Sequence, residues 1–313
     1  MVSHLYIIGN GFDIHHDIPS QYYNRKGGGC FRKWLEENDC ETLCKIDDNF
    51  GCQLEEWWVK FEENLASIET LQVAYQEAFE HYPVFGSDDF HDRDWEEAGI
   101  AVELRLNEVY SNISDALRKW IIQLPPGNNK KKIRIDMENT IFLSFNYTRT
   151  LEDLYGIPYD KILHIHGCVD NESLVFGHGE QYSTLQKKME KFERVEEGDV
   201  VYQSAKDSAL YGVSAHRKKV EEIMNDQQNW FEKLQGITHI HILGHSLGDV
   251  DLPYFYKIFE SCNKNNVFVE YSCRNKKESD RAASIVQSAS IPLSHFRPID
   301  MRSLQILKER YLE

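Results

Sequence analysis

The clearest candidate for a catalytic group is a histidine in the sequence HIHG at residues 164–167. Histidine is the usual general base near neutral pH, because its ordinary pKa lies close to that pH. Residues two apart in a strand share a face, so His164 and His166 are expected to point the same way. Gly167 leaves room for a ligand, which makes His166 the candidate base and His164 a hydrogen-bonded structural residue. The pair could also bind a metal, but no carboxylate or third histidine lies near it in sequence.

A second candidate is Asn146, in the sequence SFNYT at residues 144–148. Its side-chain amide carries both a hydrogen-bond donor and an acceptor. At the end of a strand such a group can hold a ribose hydroxyl or a water molecule. The alternative is that Asn146 caps a helix that begins near Thr150.

A loop with the sequence GNGFD follows the first apolar run and could bind a nucleotide. Its glycines let the main chain turn sharply and approach a ligand closely, with N–H groups facing a pyrophosphate. The loop lacks the third glycine of G-x-G-x-x-G, because position 14 is isoleucine, so a purely structural turn is the alternative. The candidate cofactor-binding residues in this loop are Gly9, Asn10, Gly11, Phe12 and Asp13.

A second loop, GHSLGD at residues 244–249, follows a later apolar run. In a nucleotide-binding protein, Gly244, Ser246 and Asp249 would hold ribose or phosphate groups. The same loop also matches G-x-S-x-G, the nucleophile elbow of serine hydrolases.

Asp280 and His295 follow Ser246 in the chain order that α/β-hydrolases use, so a serine hydrolase is an alternative. Two observations disfavour it. Ser246 comes late in the chain, and Pro253 lies within two turns of the point where the helix after an elbow would begin.

The elements that must position these residues are short apolar runs, typical of buried strands, and amphipathic helices. Most of the runs end in Gly, Asn, Ser or His, and open α/β sheets bind ligands at the carboxyl ends of their strands. We therefore predict an α/β fold with a Rossmann-like, mostly parallel sheet. The predicted strands are residues 4–8, 140–144, 161–165, 174–176, 239–243 and 267–271.

The stretch between the first two predicted strands is far longer than a simple crossover requires. Apolar residues recur in it at three- and four-residue steps, and Trp57, Trp58 and Phe61 are expected to pack in a core rather than hold a cofactor. We predict a large helical insertion at residues 30–125, within a single domain of residues 1–313. The charged sequence at residues 185–198 predicts a solvated helix.

The composition narrows the classes of function. The chain has 313 residues, 41% of them hydrophobic, and a formal net charge of −16, which disfavours nucleic acid as a direct ligand. No apolar run approaches the roughly 20 residues of a membrane span, and the first eight residues are too short for a signal-peptide core. The seven cysteines form no CxxC pair, which indicates free thiols. We expect a cytoplasmic protein with no membrane contact and no metal.

Taken together, five segments resemble the bacteriophage abortive infection AbiH family, over residues 5 to about 256. AbiH proteins are in turn similar to sirtuin-like domains, which bind NAD in a Rossmann-type fold. The resemblance therefore implies a sirtuin-like fold, NAD as the ligand and a part in bacterial defence. The segments are GNGFDIHHDIPSQY, FLSFNYTRTLEDLYG, ILHIHG, VFGHG and ILGHSLGDVDLPYF.

The same resemblance implies roles for residues in both loops. Residues 9–11 would be the first glycine-rich loop of a sirtuin-like domain. Gly244 and Ser246 would match the later Gly-x-Ser loop near the ribose of the cofactor. The resemblance implies no role for Asp13.

For catalysis, the resemblance matches His166 and Gly167 with the His-Gly pair that carries the catalytic histidine. Asn146 would match the asparagine that faces the nicotinamide ribose. The zinc-binding cysteines of true sirtuins are missing, and no acyl-lysine groove is identified, so deacylation is not expected.

We therefore expect an antiphage effector that hydrolyses NAD to nicotinamide and ADP-ribose, with His166 as the base and Asn146 orienting ribose or water. A permanently active NADase would kill its host, so control by a protein partner or by self-assembly is expected. Two other functions stay open: a catalytically inactive nucleotide-binding sensor or interaction module, and a serine hydrolase that uses Ser246.

Overall fold

The computed structural model describes residues 2–51, 55–66, 70–84, 91–170, 174–190 and 199–305. Its strands are β1 (His4–Ile8), β2 (Thr140–Ser144), β3 (Ile162–His164), β4 (His239–Leu243), β5 (Phe268–Ser272) and β6 (Phe296–Ile299). Its α-helices are α1 (Asn10–His15), α2 (Phe31–Asn38), α3 (Cys40–Phe50), α4 (Glu55–Val59), α5 (Phe61–Asn64), α6 (Thr70–Glu80), α7 (Glu97–Ile122), α8 (Thr150–Tyr155), α9 (Tyr182–Glu190), α10 (Val200–Ala215), α11 (Val220–Asp226), α12 (Gln228–Glu232), α13 (Leu252–Ser261) and α14 (Lys276–Ser288).

The strands form one six-stranded sheet in the order β3-β2-β1-β4-β5-β6, with every neighbouring pair parallel. The prediction of an α/β fold with a parallel sheet is confirmed. This strand order is also that of doubly wound sheets that bind dinucleotides. In such sheets the order reverses beside the first strand, and ligands bind at the carboxyl ends of the strands around that point.

Both faces of the sheet are covered, as a parallel sheet requires. Leu5 and Ile7 of β1 pack in one core, to which α12, α13 and α14 contribute. Tyr6 and Ile8 pack in the opposite core, to which α1 and α8 contribute. Because successive residues of a strand point to opposite faces, one apolar run serves both cores.

Five of the six predicted strands are present, and the prediction of a strand at residues 174–176 is wrong. Loop contacts hold this segment, since the N–H of Val175 donates to the carbonyl of His166 at 2.9 Å and the Tyr147 hydroxyl donates to the Val175 carbonyl at 3.0 Å. Strand β6 was not predicted; it contains Pro298 and lies at the edge of the sheet. Proline is tolerated at an edge, where a strand needs fewer N–H donors.

The chain divides into two compact units. The first consists of Met1–Gln21, Ile121–Val175 and Lys219–Glu313, and it contains the sheet and every candidate site residue named above. The second consists of Tyr22–Trp120 and Phe176–Lys218. The predicted insertion at residues 30–125 coincides with most of the first segment of this second unit, whereas the segment that carries α9 and α10 was not predicted to belong with it.

The second unit has its own apolar core, built from α6, α7, α9 and α10. A Cβ atom on Gly99 of α7 would lie 2.6 Å from the Ser204 hydroxyl of α10, so these helices pack closely. Trp58 and Phe61 are fully buried, as predicted. The predicted solvated helix at residues 185–198 is described only to Glu190, where α9 buries Leu185 and Met189 and is thus amphipathic; residues 191–198 lie outside the described residues. Across the described ranges, no helix combines the length and apolarity that a membrane crossing would need.

Candidate functional site

Four loops that carry candidate residues leave the same edge of the sheet. In the register of the parallel strands, Ile8 at the end of β1 lies beside Ser144 of β2 and Leu243 of β4, and Ser144 lies beside His164 of β3. Each of these four strands ends at the residue just named. The structure therefore brings together the segments that contain residues 9–13, 145–150, 165–167 and 244–251. The first of these was predicted to be a loop, but its residues 10–13 form the first turn of α1.

The two glycine-containing loops lie directly against each other. A Cβ atom on Gly9 would lie 2.5 Å from the Cα atom of His245, and one on Gly11 would lie 2.8 Å from the carbonyl oxygen of Gly244. Gly244 itself has a φ of +69°, which disfavours any side chain. The contact between the loops is thus sufficient to explain why glycine occupies these three positions.

The N–H groups of Gly9, Gly11 and Phe12 do not form the predicted cradle for a pyrophosphate. The N–H of Gly9 donates to Leu243 at 3.0 Å, the N–H of Gly11 to Gly244 at 2.7 Å, and the N–H of Phe12 back to Gly9 at 2.8 Å, each to a carbonyl oxygen. These donors already have partners. These three N–H groups are therefore not free to bind a pyrophosphate.

Asp13 and Asn146 link the first loop to the loop after β2. The buried Asp13 carboxylate accepts hydrogen bonds from the hydroxyls of Thr148 and Thr150, both at 2.7 Å. Burial raises the pKa of the Asp13 carboxyl above its usual range, and the hydrogen bonds from Thr148 and Thr150 oppose this rise. The side-chain oxygen of Asn10, in the same segment, accepts a hydrogen bond from the Ser20 hydroxyl.

Asn146 is buried and its side-chain Nδ2 donates to the carbonyl oxygen of Gly9 at 3.2 Å. The alternative role as a helix cap is wrong, because α8 begins at Thr150 with Arg149 in the capping position and no side-chain cap. The amide instead joins the carboxyl ends of β1 and β2, beside the point where the order of strands reverses.

His166 is the centre of a cluster that the sequence did not reveal in full. Its Nε2 lies 3.6 Å from Oδ1 of Asp251, and the other carboxylate oxygen, Oδ2, lies 3.4 Å from Nε2 of His245. Asp251 thus joins a histidine after β3 to a histidine after β4. The two imidazoles are only 3% and 5% exposed, whereas the Asp251 side chain is 19% exposed.

Aromatic rings fill the space around this cluster. The ring of Phe145 lies 5.2 Å from that of His166 and 4.4 Å from that of His245, measured between centroids. The ring of Tyr254, on α13, lies 5.7 Å from that of His166. Burial, with a smaller contribution from the charge of Asp251, raises the pKa of the Tyr254 hydroxyl well above its usual range, so this group stays protonated.

A hydrogen bond to His245 determines which of its two ring nitrogens carries the proton. Nδ1 of His245 accepts the main-chain N–H of Leu247 at 2.9 Å, so the neutral ring carries its proton on Nε2, towards Asp251. Asp251 is thereby oriented, and its negative charge can stabilise His166 when that ring takes up a proton. A histidine backed by an oriented carboxylate is the arrangement found in general base catalysis.

His164 and His166 do not share a face, so the predicted orientation of this pair is wrong. β3 ends at His164, and Gly167 follows in a left-handed conformation with φ of +77° and an N–H that donates to the His164 carbonyl at 3.1 Å. The alternation of a strand therefore stops before His166. His164 instead lies 3.0 Å from Glu152 of α8 through its Nε2, as expected for a structural residue.

The serine hydrolase alternative lacks its geometry. Ser246 is exposed, and α13 begins only at Leu252, so there is no strand–turn–helix elbow at the serine. His295 precedes β6 and its Nδ1 lies 3.1 Å from the carbonyl of Val267, which precedes β5. It therefore lies at the amino edge of the parallel sheet, opposite the edge that carries Ser246.

Asp249 and Ser246, which were predicted to bind the cofactor, lie at the solvent side of the loop. The Asp249 side chain is 85% exposed and pairs with Arg281 of α14 at 2.7 Å. Arg281 also donates to the Leu247 carbonyl at 2.9 Å, so it ties the outer part of the loop to α14. The structure thus separates these two residues from the buried cluster of His166 and Asp251.

His16, which follows α1, gives a prediction for stability at low pH. The ring is fully buried, with Nδ1 2.7 Å from the Phe12 carbonyl and Nε2 2.8 Å from the Tyr155 hydroxyl, and burial lowers its pKa to about 4. As the pH falls below 6.5, the unfolded chain binds the proton first, so stability falls until about pH 4. We expect His16 to cost about 2 kcal/mol of unfolding free energy between pH 7.5 and pH 5.

Urea unfolding of the wild type and of His16→Gln at these two pH values measures this contribution. Glutamine does not titrate, so the variant should lose less stability on acidification than the wild type. The other histidines are common to both proteins and cancel in the comparison. Identical losses in the two proteins would contradict the assignment.

The chain matches one known protein family over most of its length. The family described as Bacteriophage abortive infection AbiH matches residues 5–272. The chain belongs to the AbiH family. No curated protein and no solved structure matches it. The match extends from β1 to the end of β5, so it includes the whole candidate site of this AbiH protein. The family's description associates it with abortive infection against bacteriophage.

Two residues of the AbiH site, His245 and Asp251, were not among the predicted site residues. Both lie in the segment ILGHSLGDVDLPYF, and a signal for them was present, since a histidine and a carboxylate follow the end of β4. In the portions of the chain that the structure describes, no group of three or more His, Cys, Asp or Glu side chains is arranged to hold a metal ion.

Proposed function

We propose that this AbiH protein cleaves NAD at the bond between nicotinamide and ribose, as the effector step of abortive infection. The observation that carries the proposal is the position of His166. It lies at the carboxyl edge of a parallel sheet whose strand order is that of dinucleotide-binding folds, with Asp251 3.6 Å from its imidazole. A nucleotide substrate and a base with a carboxylate partner are the two components that this hydrolysis requires.

In the proposed reaction the bond from ribose to the nicotinamide nitrogen breaks through an oxocarbenium-like state. The electron pair of that bond leaves with nicotinamide, which departs as a neutral molecule. Water adds to the ribose carbon and transfers a proton to His166, and the carboxylate of Asp251 stabilises the imidazolium that forms. The products are nicotinamide, ADP-ribose and a proton, which His166 later releases to solvent.

The binding of NAD in this proposal follows from the side chains at the edge of the sheet. Asn146 orients a ribose hydroxyl or the attacking water beside His166. Because the N–H groups of Gly9 and Gly11 are already bonded to carbonyls, these two glycines contribute shape rather than donors. A relationship to sirtuin-like domains, a cytoplasmic location, and control by a partner or by self-assembly belong to the same proposal.

The proposal is tested by the loss of NAD over time with purified protein. We expect the wild type to release nicotinamide and Asn146→Ala to be slower by about 10²-fold, the effect of losing a group that positions the reactants. The matched control is Asn266→Ala, because Asn266 is exposed and precedes β5 at the opposite edge of the sheet. If Asn146→Ala released nicotinamide as fast as the control variant, the role of Asn146 would be wrong.

A second candidate function is a catalytically inactive sensor that binds a nucleotide without hydrolysing it. It is favoured by the burial of the two imidazoles, which are 3% and 5% exposed and would have to be uncovered for a substrate to reach them. Calorimetry with NAD separates the two functions. Binding without release of nicotinamide, both in the purified protein and in expressing cells under phage attack, would favour the sensor.

A further inference from the structure

Three histidine rings stack near the amino edge of the sheet, opposite the edge that carries the candidate site. His4 begins β1, and His239 and His241 belong to the neighbouring strand β4. The centroid of the His4 ring lies 4.8 Å from that of His239 and 5.4 Å from that of His241, and the rings are nearly parallel. The proposed hydrolysis uses none of these three rings.

Two of the rings belong to a chain of hydrogen bonds that crosses three strands. Nδ1 of His241 lies 2.8 Å from Oε2 of Glu270, on β5, and Nε2 of His241 lies 3.1 Å from Nδ1 of His4. The other oxygen of Glu270 lies 3.5 Å from Arg297, which favours the ionised carboxylate. A carboxylate can only accept, so neutral His241 carries its proton on Nδ1 and accepts the Nδ1 proton of His4.

The hydrogen bond between the two imidazoles limits how many protons the pair can hold. When both rings are neutral, Nε2 of His4 is unprotonated and lies 3.9 Å from Oδ2 of Asp136, so an added proton there lies beside a carboxylate. A second added proton would place N–H groups on both nitrogens of the 3.1 Å contact between His4 and His241, where one nitrogen must accept. The second proton therefore breaks the bond between the rings.

The titratable groups around the pair agree with this limit. Burial lowers the pKa of His241, and positive charge on His4 and His239 lowers it further. The hydrogen bond to Glu270 opposes these effects. Burial also lowers the pKa of His239, and it raises the pKa of the Tyr6 hydroxyl, whose ring lies 4.3 Å from that of His241 and stays neutral. A second positive charge in the stack is thus disfavoured by burial as well as by the hydrogen bond.

We propose that His4 and His241 form an acid-sensitive link between β1 and β4. The link holds one added proton with its central hydrogen bond intact, and the second added proton separates the two rings and loosens the amino edge of the sheet. Because the opened edge binds the second proton more readily than the closed edge, acidification below the ordinary histidine pKa of 6.5 favours opening. The link is independent of NAD hydrolysis, so its test needs no substrate.

The first measurement is a pH titration by NMR of ligand-free protein labelled with ¹⁵N-histidine, because the ring signals report which nitrogen carries a proton. The signals that disappear in His4→Asn and in His241→Asn identify the two rings. We expect neutral His241 to carry its proton on Nδ1, and the pair to take up one proton at a distinctly higher pH than the second. A neutral His241 with its proton on Nε2, or uptake of both protons in a single step, would overturn the proposal.

The second measurement is amide hydrogen exchange over the same pH range, corrected for the intrinsic effect of pH on exchange. The N–H groups of Thr238 and His239 donate to the Ser3 carbonyl at 2.9 and 3.1 Å, so they report on the contact between β1 and β4 at the amino edge. We expect their protection to fall at least about tenfold as the second proton binds, because like charges this close repel strongly in a partly buried site. Constant protection while both rings become charged would contradict the link.

His4→Asn separates the link from the other effects of acid. The asparagine amide can donate to a neutral His241 and, after rotation, accept from a charged one, so the variant should keep most of its protection on acidification. His4→Gln offers the same amide and replaces His4→Asn if that variant does not fold. Equal losses of protection in the wild type and the His4 variant would refute the proposal.

His295→Gln is the matched control for the exchange measurement. His295 lies at the same edge of the sheet, with its Nδ1 3.1 Å from the Val267 carbonyl. We expect this variant to lose protection as the wild type does. His16 titrates in all of these proteins, so its effect on stability cancels in the comparison. A control that resisted acid as well as His4→Asn would show that the response does not come from the His4–His241 pair.

Discussion

Replacing His166 with alanine is expected to slow the release of nicotinamide by about 10²–10⁴-fold, the usual cost of losing a positioned general base. The His166 imidazole can take up a proton, and the carboxylate of Asp251 lies 3.6 Å from it to stabilise the charge. The side chain is buried against Phe145 and Tyr254, so alanine leaves a cavity beside these two rings. Initial rates at saturating NAD, below the unfolding temperature of the variant, measure the effect.

His164→Gln is the matched control, because His164 belongs to the same HIHG sequence. Its Nε2 contacts Glu152 of α8 rather than the site, and glutamine can still donate to that carboxylate. We expect this variant to keep the wild-type rate with at most a modest loss of stability. Equal rates in the wild type and His166→Ala would show that the base lies elsewhere. Equal losses in both variants would show that the effect is structural.

Replacing Gly244 with alanine is expected to lower the free energy of unfolding by at least about 4 kcal/mol or to prevent folding, a size seen only for severe local strain. Its φ of +69° already disfavours a side chain by about 1–2 kcal/mol. A Cβ atom would also lie 2.1 Å from the main-chain nitrogen of Phe12 and 2.4 Å from the carbonyl carbon of Gly11. These are backbone atoms at the start of α1, so they cannot move aside as the end of a side chain can.

Gly156→Ala separates the two causes of that loss. Gly156 ends α8 with nearly the same φ, +68°, but a Cβ atom there would have nothing within 4 Å. The left-handed conformation alone should therefore cost about 1–2 kcal/mol in Gly156→Ala. Urea unfolding and the yield of soluble protein measure both variants. Similar losses in the two would mean that the loops do not touch as the structure shows.

The close contact of the two glycine loops also changes how a nucleotide is expected to bind. In a G-x-G-x-x-G protein the first loop offers unbonded N–H groups to a pyrophosphate. In this AbiH protein those of Gly9, Gly11 and Phe12 are bonded to carbonyls. A pyrophosphate is therefore not expected to be held by these three N–H groups.

Much of the fold could be predicted from the sequence, because buried parallel strands are short apolar runs bounded by turn residues. The exceptions are instructive. Residues 174–176 have the same apolar character but are held by a hydroxyl and a carbonyl from neighbouring loops, and β6 carries a proline that only its edge position allows. Neither feature can be recognised without knowing what lies beside the segment.

The sequence by itself determined which residue types follow each strand, and hence that His166 and Asn146 meet at one edge of a parallel sheet. This followed from local periodicity and from the rule that parallel strands share their carboxyl edge. Only the tertiary structure decided what these residues touch. Asp251 joins the loops after β3 and β4, which two other strands separate in the sheet, and Asp13 accepts hydrogen bonds from Thr148 and Thr150 across the ends of β1 and β2. Such contacts depend on strand order and on the packing of loops, and spacing along a chain encodes neither.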